Sequence, residues 1–236
     1  MARTTPARPK KRPQEQQSFG FVRRGGKRRG AGRKPRVEGR PGVSHRQRPR
    51  LTGRHPVHVT LRVAAQVPNL RRQAFHAVLL AALRAGSDRF GFRLCHFVVM
   101  GNHLHLIVEA DDQRALARGM QGLAIRLARR VNRAAERRGR FFSDRYHAHV
   151  LETPTEVHRA ISYVLLNYRK HFAEMGGGRP PEGLDAFSSA AWFDGWHTPL
   201  RGAVRIRREH DPPPVVPATS WLLTTGWREL GLIVAR

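Results

Sequence analysis

The chain has 236 residues, 40% of them hydrophobic, and its 44 Lys and Arg against 17 Asp and Glu give a formal charge of +27 and a pI near 11.9. That length holds one packed domain with extensions, and no run of about 18 consecutive apolar residues offers a membrane helix. So large a cationic excess predicts a polyanionic partner, of which nucleic acid is the commonest. Cys95 is the single cysteine, which excludes an internal disulfide and a multi-cysteine zinc cluster. Met1–Arg50 has no apolar core that could serve as a signal peptide, so the expected location is the cytoplasm, in association with the nucleoid.

Residues 1–50 are rich in Lys, Arg, Gly, Pro and Gln, with too little apolar surface to offset chain entropy, and are predicted to form a disordered basic arm. Within the arm, Gly32-Arg33-Lys34-Pro35-Arg36 and Gly39-Arg40-Pro41 resemble the Gly-Arg-Pro cores of AT-hooks, which suit a narrow minor groove. General phosphate attraction explains the same residues, since any tail of this composition produces such triplets. From His55 to Val63 the apolar Val57, Val59, Leu61 and Val63 alternate with His58, Thr60 and Arg62, which predicts a first strand with one buried face. Pro68 and Asn69 lead into a helix through about Arg84, with Leu70, Phe75, Val78, Leu79, Ala82 and Leu83 inward and Gly86 closing it. A second strand is predicted over Phe90–Met100, and Gly101-Asn102 turns it back into a third.

That third strand carries His103 and His105. Strand side chains alternate, so the two imidazoles share one face while Leu104, Leu106 and Val108 enter a core from the other. Two imidazoles on one face can share an ion; ordinary half-buried histidines satisfied by water or carbonyls give the same pattern. Next comes a long helix, from about Asp112 to Arg138, with Leu116, Met120, Leu123, Leu127 and Val131 as one stripe. Arg126, Arg129, Arg130, Arg133 and Arg137 lie off that stripe without acidic partners at i,i+4, a row that suits a phosphate backbone as well as solvent. Arg145–Leu151 alternates as a fourth strand, which completes a ferredoxin-like βαββαβ order in an α+β fold.

Thr153-Pro154-Thr155-Glu156 has the form of a capping box with proline at the first helical position, and opens a further helix to about Glu174. At 100° per residue, Val157, Ile161, Val164, Leu165, Tyr168 and Phe172 cluster, while Tyr163 and Asn167 share a separate strip. Gly176–Pro181 ends the domain, giving an arm at 1–50, a main domain at 51–175 and an appendage at 176–236 with Trp192, Trp196 and a Pro-rich stretch at Asp211–Pro217.

Three phrases, His58-Val59-Thr60-Leu61-Arg62, Met100 to His105 and Tyr163-Val164-Leu165-Leu166-Asn167, resemble the single-tyrosine HUH transposases, in particular the REP-associated tyrosine transposase group. The resemblance spans roughly His55 to Phe172. It implies that His103, His105 and Asn167 bind a divalent metal, Mg²⁺ or Mn²⁺, and that Tyr163 attacks single-stranded DNA to form a 5′-phosphotyrosine link. It also implies a hairpin-bearing DNA substrate held by Arg126, Arg130, Arg133 and Arg145, in a chain acting as monomer or homodimer; Arg33, Lys34 and Arg36 are DNA-binding candidates from the composition of the arm alone. The sequence departs from the family where Gly101 precedes Asn102 and where Tyr168 follows Asn167, both places where proline is usual. Tyr168 and Tyr146 are rival nucleophiles, and His147-Ala148-His149 is a second His-x-His. Two other functions fit the same residues: a ferredoxin-like module that binds single-stranded DNA or RNA without chemistry, and a metal-dependent phosphodiesterase that uses water.

Overall fold

A computed structural model describes residues 51–174, 183–197 and 212–234, the side chains of 169–174 excepted. The arm at 1–50, with Arg33, Lys34 and Arg36, lies outside the described residues. The elements are β1 (Val57–Arg62), α1 (Gln73–Arg84), β2 (Asp88–Arg89), β3 (Phe92–Val99), β4 (His103–Ala110), α2 (Gln113–Ala134), β5 (His147–Val150) and α3 (Pro154–Glu174). Short helical turns follow at Ser189–Trp192, Trp221–Thr224 and Gly226–Leu230. The sheet order is β2-β3-β4-β1-β5, and every strand pairing is antiparallel. Without β2 this is the βαββαβ arrangement that the sequence predicts.

Alternation divides the sheet into two chemically different faces. On one, Val57, Val59, Leu61, Leu104, Leu106 and Val108 form a buried core with Phe75, Leu79 and Leu83 of α1 and the Leu116, Met120, Leu123, Leu127 and Val131 stripe of α2. Each such side chain removed from water contributes roughly 1.5–3 kcal/mol, which is what holds the two helices down. The other face meets α3, where Val157, Ile161, Val164 and Leu165 join Val98 and Ile107 in a second core. Gly119 lets α2 approach β3, because a Cβ built there would stand 2.1 Å from Cγ of Phe92.

The boundaries shift where backbone geometry overrides the apolar pattern. The predicted strand over Phe90–Met100 is split: Phe90 and Gly91 have positive φ, 57° and 74°, and form a two-residue loop between β2 and β3. Positive φ at both loop positions is the type I′ signature, matched to the twist of a hairpin. Helix α1 starts at Gln73 rather than beside Asn69, and the Leu70 N–H before it donates to the Gly101 carbonyl at 2.9 Å. Its C-cap is Ala85, one residue before Gly86. Helix α2 ends at Ala134, four residues early, at the turn where Glu136 has φ 49°.

The C-terminal segments cover an open sheet edge and the outside of α3. Val99 N–H donates to the Phe187 carbonyl at 2.8 Å, Phe97 N–H to Ser189 Oγ at 3.0 Å and Val216 N–H to the Leu94 carbonyl at 3.0 Å, so β3 leaves little unpaired backbone. Trp227, Leu222 and Leu223 pack into the α3 core. Two polar ties fasten these segments. Arg71 makes a double hydrogen bond to Asp185 at 2.6 and 2.9 Å, and buried Glu109 accepts from the backbone N–H groups of Thr219 and Ser220, from Thr219 Oγ1 and from Arg93. Burial pushes the Glu109 carboxyl upward, but the hydrogen bonds from Ser220 and Thr219 outweigh it and hold the group below its ordinary range. No helix among the described residues is long and apolar enough to cross a membrane.

Replacing Gly119 by Ala forces Phe92 and α2 apart and should lower stability by about 1–3 kcal/mol in chemical denaturation. An unchanged denaturation midpoint would show that α2 lifts off the sheet at no cost. His96, packed against Phe193, is held down to about 4 by burial, against the pull of Asp194 and Glu109. The unfolded chain therefore takes up a proton below about pH 6.5 that folded His96 refuses, and stability falls as pH drops from there toward 4. His96→Phe should reduce the stability difference between pH 7.5 and pH 5 by about 2 kcal/mol, read from denaturation curves at the two values.

Candidate active site

The β3–β4 turn is set before any site chemistry is considered. Its Gly101 and Asn102 carbonyls accept the backbone N–H groups of Leu70 and Val63 at 2.9 and 3.0 Å, so the start of β4 is fixed to two other segments. From there the ladder places Arg62 opposite His103, Thr60 opposite His105 and His58 opposite Ile107. On the other side of β1, His58 faces His149 and Thr60 faces His147. All these side chains share the α3 face of the sheet, which is therefore unusually rich in histidine beside the helix.

Helix α3 brings Tyr163 onto this face. The capping box forms as predicted: Glu156 N–H donates to Thr153 Oγ1 at 3.2 Å while Glu156 Oε2 accepts from the Thr153 and Glu152 N–H groups. With its start fixed and Val157, Ile161 and Val164 buried, the helix has one rotation available, and it puts the Tyr163 hydroxyl 3.4 Å from His105 Nε2. The rings of His103 and His105 stand 4.8 Å apart and those of His105 and Tyr163 5.0 Å apart, both edge to face. Tyr163 remains 37% exposed, so a substrate can reach its oxygen. His105 Nδ1 lies 3.1 Å from Thr60 Oγ1 and 3.2 Å from His58 Nε2. Burial, then the neighbouring His149 and His147, hold His58 down to about 4, which keeps it neutral at pH 7.

The chain has three tyrosines, and their surroundings separate them. Tyr168 lies under the Arg71 guanidinium, 3.7 Å from the ring centroid, in a packed corner with Phe187. Tyr146 packs against the α1–α2 core on the opposite face. Only Tyr163 stands over the histidine pair.

Asn167, one helical turn beyond Tyr163, is 1% exposed, and neither its amide oxygen nor its amide nitrogen has a hydrogen-bond partner. Leaving such groups unsatisfied costs about 1–3 kcal/mol each, a cost that a packing residue would not impose. Among the described residues no three His, Cys, Asp or Glu side chains come together as a metal cluster, so a metal at this pair would draw its third protein donor from an amide. Two imidazoles and an amide oxygen form a neutral donor set that suits Mn²⁺ well and Mg²⁺ acceptably.

The arginines are divided. Arg126 is half-buried and Arg130 and Arg133 are exposed on α2, across the sheet from Tyr163, whereas exposed Arg145 lies two residues before the edge strand β5. His58 and Thr60, which alternation alone places on the polar face of β1, share one partner, His105. Arg62 was read only as part of a strand phrase, yet its register beside His103 places a cation on the catalytic face. The alternation of His58, Thr60 and Arg62 with apolar residues carried the signal.

The site is thus a histidine pair on one strand facing a tyrosine on an adjoining helix. Residues 53–165 match the model of the IS200-like transposases. The match includes His103, His105 and Tyr163 and stops short of Asn167. Among solved structures, a REP-associated tyrosine transposase bound to a REP hairpin is 16% identical, with 55% of this chain and 74% of that one covered and a TM-score of 0.44. A protein of Deinococcus radiodurans R1 assigned as a transposase is 18% identical, with 61% and 99% covered and a TM-score of 0.36. Among curated proteins, none matches the chain.

Asn167→Leu, which keeps the volume and removes the two unsatisfied polar atoms, should leave the protein as stable or raise its stability by about 1 kcal/mol. A loss of stability in thermal melting would mean that the amide has a structural task.

Proposed function

We propose that this protein cuts and rejoins single-stranded DNA at hairpin-bearing ends through a 5′-phosphotyrosine link at Tyr163. The observation that carries the reading is the Tyr163 hydroxyl, half-exposed and 3.4 Å from the histidine pair, with buried Asn167 one turn further along the same helix. The Tyr163 oxygen forms a bond to phosphorus, the 3′ oxygen leaves with its electron pair and takes a proton from water, and the phenol proton passes to solvent. Bond energy is retained in the adduct, so a second 3′-hydroxyl can displace the tyrosine and rejoin strands. His103, His105 and Asn167 would hold a divalent ion, Mg²⁺ or Mn²⁺, which supplies charge neutralisation at the phosphate.

The flanking strand runs along the catalytic face toward β5, where Arg62 and Arg145 meet backbone phosphates. Arg126, Arg130 and Arg133 meet DNA on the far side of the sheet, and Arg33, Lys34 and Arg36 add sequence-independent attraction. The hairpin element of the substrate rests on the family resemblance.

The test is incubation with end-labelled, hairpin-bearing single-stranded DNA and Mn²⁺ or Mg²⁺, followed by denaturing electrophoresis. A protein–DNA adduct should form with wild type and with Tyr168→Phe, and should fall below about a thousandth of that level with Tyr163→Phe or with chelator. Cleavage that survives Tyr163→Phe without an adduct would assign the attack to water; DNA binding with no cleavage under any metal would make the protein a binding module.

A further inference from the structure

A neutral imidazole has one N–H and one lone pair, and a metal takes the lone pair. Which nitrogen offers it is decided by the hydrogen bond that the other nitrogen makes. In His103 that bond is explicit. Nδ1 lies 2.7 Å from Oδ1 of the adjacent Asn102, and an amide oxygen has no proton to give, so Nδ1 carries the proton and donates it.

His105 reaches the same state by a different route. Its Nε2 faces the Tyr163 hydroxyl at 3.4 Å, and a phenol that donates there needs a lone pair on Nε2. The proton then sits on Nδ1, which has two acceptors within reach: Thr60 Oγ1 at 3.1 Å and His58 Nε2 at 3.2 Å. Neither acceptor depends on chance rotamers. Thr60 is directly opposite His105 in the β1–β4 ladder, and His58, two residues along β1, shares its face and stacks on the His105 ring at 5.3 Å.

We infer that Asn102, Thr60 and His58 are positioning residues: they hold both histidines of the pair as the Nδ1–H tautomer, so that each offers Nε2 as its donor atom. The inference deepens the proposed metal-assisted cleavage and rests on it for its purpose, but the proton positions stand independently of whether a metal binds. It gives a task to His58 and Thr60 of β1 and to the asparagine of the turn, which the cleavage chemistry leaves without one. It also explains why two neighbouring histidines are held from different elements. His103 is oriented by its own turn, while His105, deeper in the strand, has to be oriented by the strand beside it.

The first measurement is a long-range proton–nitrogen correlation spectrum of the full chain labelled with ¹⁵N in histidine, with no metal added. Pyrrole-like Nδ1 and pyridine-like Nε2 resonances for His103 and His105 are expected; the reverse pattern at either residue overturns the assignment there. The second is Mn²⁺ binding by electron paramagnetic resonance, without DNA, for wild type, Thr60→Val with His58→Phe, His58→Gln and Asn102→Ala. The paired substitution and Asn102→Ala should each weaken Mn²⁺ binding by about 10–100-fold with unchanged circular dichroism, and His58→Gln, which keeps an acceptor, should recover most of the affinity. Wild-type affinity in both Asn102→Ala and the paired variant overturns the positioning role. Asn102 is exposed on the turn, so its variant serves if the paired one fails to fold. If wild type binds no Mn²⁺, it is the metal reading of the site that fails, and the nitrogen spectrum alone decides the proton positions.

Discussion

The pairing of β1 with β4, with Thr60 set opposite His105, is the constraint on which everything else in the molecule depends. A slip of one residue would exchange the faces of β4, burying two imidazoles among Leu79 and Leu127 and turning Leu104 and Leu106 toward Tyr163. The register is secured from both ends: Leu104, Leu106 and Val108 are fully buried on one face, and the Gly101-Asn102 turn is tied by backbone to Val63 and Leu70. Apolar burial on the α1–α2 side thus determines the chemistry on the α3 side. The site is the polar remainder of a strand whose other half is core.

Much of this was legible in the sequence because it is local. The strands show as alternation, α2 and α3 as stripes, and the start of α3 as a capping box that the structure contains bond for bond. The phase of Tyr163 and Asn167 follows from helix geometry alone. What stayed hidden depends on partners distant in sequence. Glu109 reads as the polar end of an apolar strand until Thr219 and Ser220, 110 and 111 residues later, close around it. Thr60 and His58 look like solvent-facing strand residues until the ladder supplies His105. The β2 hairpin was masked by composition, since Phe90-Gly91-Phe92 reads as strand and only the positive φ at Phe90 makes it a turn. The arginine row of α2 was visible as a row, but which face of the sheet the helix would cover was not.

The two sheet faces separate functions that many sites must combine. The α3 face has a nearly uncharged arrangement of imidazoles, one phenol and one amide, with Arg62 and Arg145 toward its rim. The α2 helix, across the sheet, has exposed Arg129, Arg130 and Arg133. On the proposed chemistry, charge concentrated beside the tyrosine would compete for the phosphate, whereas charge behind the sheet would attract nucleic acid without entering the site. The ties at Asp185 and Glu109 belong to this layout too, because they secure the C-terminal segments over α3 and the β3 edge.

The anchoring of α3 has a mechanical consequence. On the proposed chemistry, a DNA end joined to Tyr163 hangs from the middle of a helix, and any tension in that strand is delivered there. The helix is held upstream by the Glu156 box and downstream where Tyr168 lies beneath Arg71, which is itself pinned to Asp185 and the Val99 carbonyl. It is loaded as a beam supported on both sides of the attachment point, and it resists the pull without swinging away. The phosphate therefore stays beside His105 while the freed strand is exchanged, and joining takes place where cutting did.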